Sequence, residues 1–214
     1  LDKSILIVTS DHGEMFGEHG IINHGATVWE ELFATPCLIR FPPAMAPRTI
    51  VRRLTSALDL VPTVFDLIGR RDWLTSQAAV DGQPIDFSPG LDDRRLVLDS
   101  PPAVLPERFK KYPNVLCKLS ILFRAVRTSE YKYIWQSNGE RHLFRVGSAE
   151  SREDDVRDHE PHVADLLHQE MIDFYLSIDS AYDINQYPIV LSRTVGSRMT
   201  NPVVREELRR LGYM

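Results

Sequence analysis

The chain has 214 residues, of which 43% are hydrophobic and 26% are charged, and its formal net charge is -5 at pH 7. These values are typical of a globular protein with a sizeable core, and scattered basic residues under a net negative charge argue against a nucleic-acid-binding surface. No apolar run approaches the roughly 20 residues that a transmembrane helix needs, so we expect no membrane span.

Two strand candidates with a short helix between them open the chain. Residues 4–9 form an apolar, β-branched run that predicts a buried central strand. Residues 26–34 predict a short helix, and residues 36–41 predict a second buried strand. The order strand, helix, strand predicts a right-handed parallel crossover. Because natural domains seldom open on their most buried strand, we expect the chain to begin inside a larger domain.

A capped helix and a long connection occupy the middle of the chain. Residues 59–68 predict a helix that ends at Gly69, and Ser56 and Asp59 have the spacing of a capping box at its start. Residues 70–106 are rich in Pro, Gly and Asp, and their weak periodicity predicts a long irregular connection.

The last third predicts a small antiparallel sheet with a helix packed against it. Residues 122–128, 131–136 and 141–146 are short strand candidates, and Asn138 and Gly139 favour a tight hairpin turn between the last two. The apolar residues from position 161 onward recur at helical spacing and predict a long helix. The side chains expected to face the sheet are Val163, Leu166, Leu167, Met171, Phe174 and Ile178. A final helix is predicted at residues 202–211.

A cluster of ionisable residues follows the first strand, at the edge where α/β sheets bind their ligands. Asp11 and His12 can share a divalent cation there, but two ligands hold a metal weakly, so we expect further ligands upstream. The tripeptide Asp-His-Gly at residues 11–13 alone also suits an ordinary turn in which the aspartate caps a helix and the histidine is solvated. However, His12, His19 and His24 are three of only seven histidines, and Glu14 lies among them. This concentration favours a functional site.

Residues 7–20, IVTSDHGEMFGEHG, resemble the C-terminal signature of the sulfatase family within the alkaline phosphatase superfamily. Four further segments resemble family segments in the same order along the chain. They are residues 29–42, 58–69, 80–85 and 127–134. The resemblance therefore covers nearly the whole chain.

The resemblance implies an α/β fold in which a large mixed sheet is flanked by helices and a smaller antiparallel sheet carries a packed helix. In sulfatases, a cysteine or serine in a Cys/Ser-x-Pro-x-Arg motif becomes formylglycine, whose hydrate attacks the sulfate ester beside a divalent cation, usually Ca²⁺. By this resemblance, Asp11 and His12 are metal ligands, and the substrate is a small-molecule or saccharide sulfate ester.

The same resemblance gives His24 a candidate catalytic role. It lies close to the position of a basic residue, often a lysine, that contacts the sulfate and the leaving-group oxygen in the family. Counting back from Trp29 places the lysine position on Gly25, so His24 fits only with a small backbone shift. Its imidazole would act as a general acid or bind sulfate. A structural histidine in a glycine-rich turn is the alternative.

Neither cysteine of the chain lies in the nucleophile motif. Cys37 falls in a predicted buried strand, where it is expected to be a core residue, and Cys117 is also expected to be structural. We therefore expect the nucleophile upstream of this sequence and expect the isolated chain to be inactive. A phosphonate or phosphate ester hydrolase of the same superfamily, and an inactive sulfatase-fold remnant, are the alternative functions.

The predicted organisation has three parts. Residues 1–106 are the C-terminal part of the catalytic α/β domain, residues 107–181 are a small α+β subdomain, and residues 182–214 are a tail with a terminal helix.

Overall fold

A computed structural model describes residues 3–25, 27–42, 50–77, 81–90, 93–101 and 121–179. Its contacts divide the chain into two compact units. The first unit comprises Leu1–His24, Trp29–Leu96 and Arg127–Tyr131, and the second comprises Gly25–Val28, Val97–Val126 and Lys132–Met214. Within the described residues, no helix is both long and apolar enough to cross a bilayer.

The first unit contains a two-stranded sheet of β1 (Leu6–Thr9) and β4 (Cys37–Arg40). The strands are antiparallel, with Leu6 opposite Arg40 and Thr9 opposite Cys37, so the predicted parallel crossover is wrong. A parallel crossover needs a connection, usually a helix, that carries the chain back along the sheet. The helix α1 between these strands is a single turn, Glu30–Phe33, and the chain instead reverses into β4.

Both strands are more exposed than their sequences predicted. Leu6 is 45% exposed, Val8 53% and Leu38 63%, and Cys37 is an exposed free cysteine rather than a core residue. A strand of continuous apolar composition becomes buried only when both faces of its sheet are covered. In the described residues, Val8 and Leu38 on one face of the pair and Thr9 and Cys37 on the other are exposed, so neither face is fully covered.

A small hairpin and two helices complete the first unit. The hairpin pairs β2 (Met15–Phe16) with β3 (Ile22–Asn23). Beyond β4, a 3-10 turn leads into α2 (Leu60–Leu67), and α3 (Arg71–Gln77) follows. This last helix corrects the expectation of a wholly irregular connection over residues 70–106.

The predicted start and end of α2 are confirmed. The Ser56 side chain accepts a hydrogen bond from the backbone of the first helical turn, and the Asp59 carboxylate accepts the Ser56 N–H, which is a complete capping box. Gly69 has a φ of 69° directly after the helix. Glycine suits this left-handed conformation, which ends helices.

The second unit contains most of a four-stranded sheet, together with a long helix. The strands β5 (Leu96–Ser100), β6 (Phe123–Arg127), β7 (Tyr131–Gln136) and β8 (Arg141–Arg145) lie in that order across the sheet. The predictions for this region are confirmed by the last three strands, by the turn at Asn138 and Gly139 and by the helix α4 (Pro161–Asp179). Strand β5 lies in the stretch that was expected to be irregular.

The buried face of α4 differs from the predicted one. Its buried hydrophobic residues are Ala164, Leu167, Met171 and Tyr175. Leu166 is 49% exposed and Phe174 is 40% exposed. The buried positions follow one another at intervals of three or four and form a single stripe, whereas the predicted set included a second row beside it. Cys117 and the helix predicted at residues 202–211 lie outside the described residues.

Candidate functional site

Local hydrogen bonds fix the turn that follows β1. The Ser10 hydroxyl donates to the His12 carbonyl oxygen at 2.6 Å, and the His12 backbone N–H donates to Asp11 Oδ1 at 3.0 Å. His12 Nδ1 lies 2.7 Å from the Gly13 carbonyl oxygen. A carbonyl only accepts, so Nδ1 is the donor in this contact, and Nε2 is the nitrogen left to bind a cation.

The lone pair of His12 and the carboxylate of Asp11 lie close enough to bind one cation. His12 Nε2 is 3.9 Å from Asp11 Oδ2, and the two side chains are 46% and 87% exposed. Two ligands that each lie about 2.0–2.6 Å from a shared cation can be up to about 5 Å apart, so the separation fits. The described residues contain no group of three or more His, Cys, Asp or Glu side chains placed to hold a metal. This part of the chain thus offers a pair of ligands.

Gly13 holds the Asp11 and His12 turn against α1. Its N–H donates to the Leu32 carbonyl oxygen at 2.8 Å. A Cβ atom at this position would lie 1.8 Å from the Glu31 carbonyl oxygen, a distance that no side chain can occupy. Glycine is therefore required here for close backbone approach, which sets the distance between the turn and the helix.

The structure places His24 beside the predicted metal ligands. The rings of His12 and His24 lie with their centroids 4.5 Å apart and their planes at 32°. His24 Nδ1 is 3.1 Å from Glu14 Oε2, and the His24 side chain is 52% exposed. All three residues singled out from the sequence, Asp11, His12 and His24, therefore lie in one neighbourhood of the first unit.

Glu14 is the partner that sequence reasoning did not assign to His24. The hairpin register places Met15 opposite Asn23 and Phe16 opposite Ile22, which brings Glu14 opposite His24. The sequence contains the residues of the hairpin, but the contact between Glu14 and His24 can be predicted only when the register of its two strands is known. A carboxylate on Nδ1 fixes the orientation of the ring and turns Nε2 away from the hairpin.

His19, the third histidine of the cluster, has a packing role instead. Its ring stacks on Trp29 at a centroid distance of 4.0 Å and an angle of 7°, and its Nε2 lies 3.6 Å from Glu31 Oε2. Its side chain is only 16% exposed. The stack connects the tip of the hairpin to the start of α1.

Comparison with known proteins shows which proteins the chain is similar to. Residues 1–70 match the Sulfatase family model. This segment of the chain is therefore similar to sulfatases. The chain is similar to the uncharacterized sulfatase YidJ of Escherichia coli K12, at 40% identity over 66 residues, which cover 31% of this chain and 13% of the relative. It is also similar to the steryl-sulfatase of Mus musculus, at 30% identity over 95 residues, which cover 39% of this chain and 15% of the relative.

A solved structure shows the fold of this chain. The phosphonate monoester hydrolase SpPMH from Silicibacter pomeroyi superposes with a TM-score of 0.56 at 22% identity, over 90% of this chain and 38% of that one. The predicted α/β fold is confirmed. The chain spans well under half the length of the proteins that it matches.

Proposed function

We propose that this chain supplies late metal ligands to a sulfatase that hydrolyses sulfate monoesters of small molecules or saccharides. The observation that carries the proposal is the 3.9 Å separation of Asp11 Oδ2 and His12 Nε2, both open to solvent, at the end of a strand in the matched segment. An acidic oxygen ligand favours a hard cation, and Ca²⁺ is the proposed ion.

The cation supplies charge stabilisation. A divalent ion held there would stabilise negative charge on the sulfate ester and on an attacking nucleophile. Asp11 and His12 would hold it on this side of the site. The proton on His12 Nδ1, fixed by the Gly13 carbonyl oxygen, keeps the Nε2 lone pair directed outward for this purpose.

His24 is proposed to act on the ester oxygen. Its ring centroid lies 4.5 Å from that of His12, which supports a role for His24 beside the proposed metal ligands. From there a protonated ring either donates its proton to the leaving alcohol or holds a sulfate oxygen. Glu14, at 3.1 Å from Nδ1, keeps Nε2 pointed toward the ester.

We assign no nucleophile to residues 1–214, because neither Cys37 nor Cys117 lies in a Cys-x-Pro-x-Arg sequence. We accordingly propose that this chain on its own does not turn over sulfate esters. The experiments below therefore use the native polypeptide that contains this sequence.

A phosphonate or phosphate ester hydrolase is the second candidate. The structural match to a phosphonate monoester hydrolase supports it at the level of the fold. The tetrahedral phosphoryl group presents similar oxygens to a cation, so Asp11 and His12 suit either chemistry. A chain with neither activity would be an inactive remnant of the sulfatase fold.

Metal content and turnover of the native polypeptide test the proposal. We expect bound calcium by elemental analysis and hydrolysis of 4-nitrophenyl sulfate in preference to 4-nitrophenyl phosphate and a 4-nitrophenyl phosphonate monoester. Asp11→Asn should lower the metal affinity at least about 100-fold, since even groups that only support a ligand contribute 10–100-fold. Asp158→Asn is the matched control, because that carboxylate is 83% exposed and Asp11 is 87% exposed.

Each outcome separates the candidates. Faster phosphonate hydrolysis with the same dependence on Asp11 would replace the sulfatase proposal with its alternative. Absence of bound metal together with absence of turnover would identify a remnant. Equal metal affinity in Asp11→Asn and Asp158→Asn would remove Asp11 from the site.

A further inference from the structure

The turn of the β2–β3 hairpin contains a histidine in an uncommon backbone conformation. His19 has a φ of 53°, in the left-handed region, and it lies between Gly17 and Gly20, whose φ values are 128° and 69°. Glycine adopts positive φ angles freely, whereas a residue with a side chain does so at an energetic cost. Surrounding contacts must hold His19 in this conformation, and strain of this kind is concentrated where a protein positions functional groups.

Two side chains at α1 hold His19. The His19 ring stacks on the ring of Trp29 at a centroid distance of 4.0 Å and an angle of 7°, and its Nε2 lies 3.6 Å from Glu31 Oε2. Trp29 is itself buried, so the histidine ring lies on a fixed surface. These contacts attach the turn of the hairpin to α1.

The same helical turn also holds the segment that carries the proposed metal ligands. A Cβ atom on Gly13 would lie 1.8 Å from the Glu31 carbonyl oxygen, and the Gly13 N–H donates to the Leu32 carbonyl oxygen at 2.8 Å. Leu32 is buried, which fixes α1 in the first unit. Glu31 therefore meets the turn at residues 11–13 through its backbone and the hairpin through its side chain.

The end of the hairpin opposite this turn carries Glu14 and His24. The hairpin has only two residue pairs, and a hairpin of this size has little stability of its own. Its orientation therefore depends on its anchors, which are the buried Met15 near the open end and His19 at the turn. Loss of the His19 anchor would let the hairpin tilt, and the rings of His24 and His12 would lose their 4.5 Å contact.

We propose that His19 is a positioning residue, which keeps the β2–β3 hairpin on α1 and thereby keeps His24 beside His12. This inference rests on the proposed function, in which His24 acts on the ester oxygen. The contacts with Trp29 and Glu31 give His19 this role through the backbone of the hairpin. A role in stability alone is the alternative, and the two roles differ in their kinetic effects.

His19→Asn tests the assignment in the native polypeptide. Asparagine adopts left-handed backbone angles more readily than most residues, so this variant keeps the turn conformation while it removes the stack and the Glu31 contact. We expect kcat for phenyl sulfate to fall about 10–100-fold, as when groups that orient functional side chains are lost. KM and the bound calcium should stay near their wild-type values, since Gly13 attaches the turn at residues 11–13 to α1 separately.

The leaving group shows whether the loss arises through His24. A misplaced general acid slows the release of a weakly acidic alcohol most, so the loss should be smaller for 4-nitrophenyl sulfate than for phenyl sulfate. A change confined to stability would lower both rates equally. Equal losses on the two esters in His19→Asn, or an unchanged kcat, would overturn the inference.

His142→Asn is the matched control, because His142 is also a stacked histidine with a carboxylate partner. Its ring stacks on Phe144 at 5.8 Å, its Nδ1 lies 3.0 Å from Asp155 Oδ2, and its side chain is 26% exposed. This variant should lower the free energy of unfolding in urea and leave kcat for both esters unchanged. A shift in the ratio of the two kcat values as large as that in His19→Asn would overturn the inference.

Trp29→Leu removes the other half of the stack and should reproduce the kinetic effect of His19→Asn. The double variant should lose little more than either single variant, since residues that act through one contact are not additive. Losses that multiply in the double variant would overturn the stack as the anchor. If Trp29→Leu does not fold, the comparison of His19→Asn with His142→Asn tests the inference on its own.

The contact between the His12 and His24 rings separates this inference from the proposed function. With isotope-labelled histidine, a nuclear Overhauser effect between the protons of these two rings should appear in the wild type and in His142→Asn and should be lost in His19→Asn. If the wild-type polypeptide hydrolyses no sulfate ester, the sulfatase proposal fails, but this loss would still support positioning by His19. Retention of the signal in His19→Asn would overturn it.

Discussion

The imidazole ring of His24 lies against that of His12, with a centroid distance of 4.5 Å, although the β2–β3 hairpin separates them along the chain. The hairpin produces this contact, because it returns the chain to the end of β1 after residues 15–23. A candidate metal ligand and a candidate proton donor thus lie side by side on one turn and one hairpin.

This contact predicts a specific kinetic effect of His24→Gln. If His24 protonates the leaving alcohol, its loss should lower kcat about 10²–10⁴-fold, as for other general acids. The loss should be smaller for 4-nitrophenyl sulfate than for phenyl sulfate, because a more acidic alcohol needs less protonation to leave. His162→Gln, an exposed histidine on α4, is the control.

Metal content distinguishes proton donation by His24 from metal binding. His24→Gln should keep its bound metal while Asp11→Asn loses it. Equal kinetic losses for both leaving groups would reassign His24 to sulfate binding, and loss of the metal itself would contradict its placement as a proton donor.

Gly13→Ala should displace the metal ligands. The added Cβ would meet the Glu31 carbonyl oxygen at 1.8 Å, so the turn must move away from α1 and lose its hydrogen bond to Leu32. We expect weaker calcium binding in titrations together with a lower free energy of unfolding. Gly147→Ala is the control, because that glycine has a φ of 87° and open space around it.

The control separates steric from conformational effects. Gly147→Ala forces a left-handed alanine and should cost about 1–2 kcal/mol without changing calcium affinity. Unaltered calcium affinity in Gly13→Ala would show that the close approach to α1 does not position the ligands.

Sequence reasoning succeeded where local signals determine structure. The β6–β8 strands, their Asn138 and Gly139 turn and the capping box of Ser56 and Asp59 depend on residues close in the chain, and all were predicted. The direction of β4 against β1 depends on the connection between them, which contains only a single helical turn, and the composition of the strands does not encode it. The exposure of Leu38, at 63%, depends on what covers the sheet, which strand composition does not encode either.

In the candidate site, too, contacts between residues close in the chain were predicted and contacts between distant residues were not. The proximity of Asp11 and His12 could be predicted because adjacent residues after a strand necessarily share a turn. The Glu14 partner of His24 was not assigned, since that contact follows from the hairpin register. His19 carries the same titratable group as His24, but the Trp29 stack, a contact between distant positions, gives it a packing role.

The buried Asp59 and Arg94 pair should contribute strongly to stability. Asp59 is fully buried, and Arg94 donates two hydrogen bonds to its carboxylate at 2.5 and 2.8 Å. Arg94→Met leaves a buried unpaired carboxylate and should lower the free energy of unfolding by about 3–5 kcal/mol. Arg71→Met removes the exposed pair with Asp66 and should cost about 1 kcal/mol or less. Urea denaturation measures both, and equal losses would contradict the prediction.

Asp59 also predicts a loss of stability in acid. Burial alone would raise the pKa of Asp59, but hydrogen bonds from Arg94 and from the Gln83 and Ser56 N–H groups lower it below the ordinary 3.8. The unfolded chain therefore takes up this proton first as the pH falls. The contribution of Asp59 to the free energy of unfolding is present above 3.8 and is lost as the pH falls through the folded pKa. In Asp59→Asn the free energy of unfolding should fall less steeply as the pH decreases. A pH dependence equal to that of the wild type would contradict this prediction.

His168 should produce a second pH dependence, nearer neutrality. Its Nδ1 lies 3.0 Å from the hydroxyl of the fully buried Tyr133, and burial, followed by the charge of Arg141, lowers the pKa of His168 below 6.5. Burial raises the pKa of Tyr133, so its O–H stays protonated and donates to the neutral ring. Below pH 6.5, His168 binds a proton in the unfolded chain but not yet in the folded chain. The free energy of unfolding therefore falls as the pH drops from 6.5 toward the folded pKa. Urea denaturation at several pH values should show a weaker pH dependence of the free energy of unfolding in His168→Gln than in the wild type. His162→Gln, at an exposed position on the same helix, should keep the wild-type dependence. An unchanged dependence in His168→Gln would assign the effect to another group.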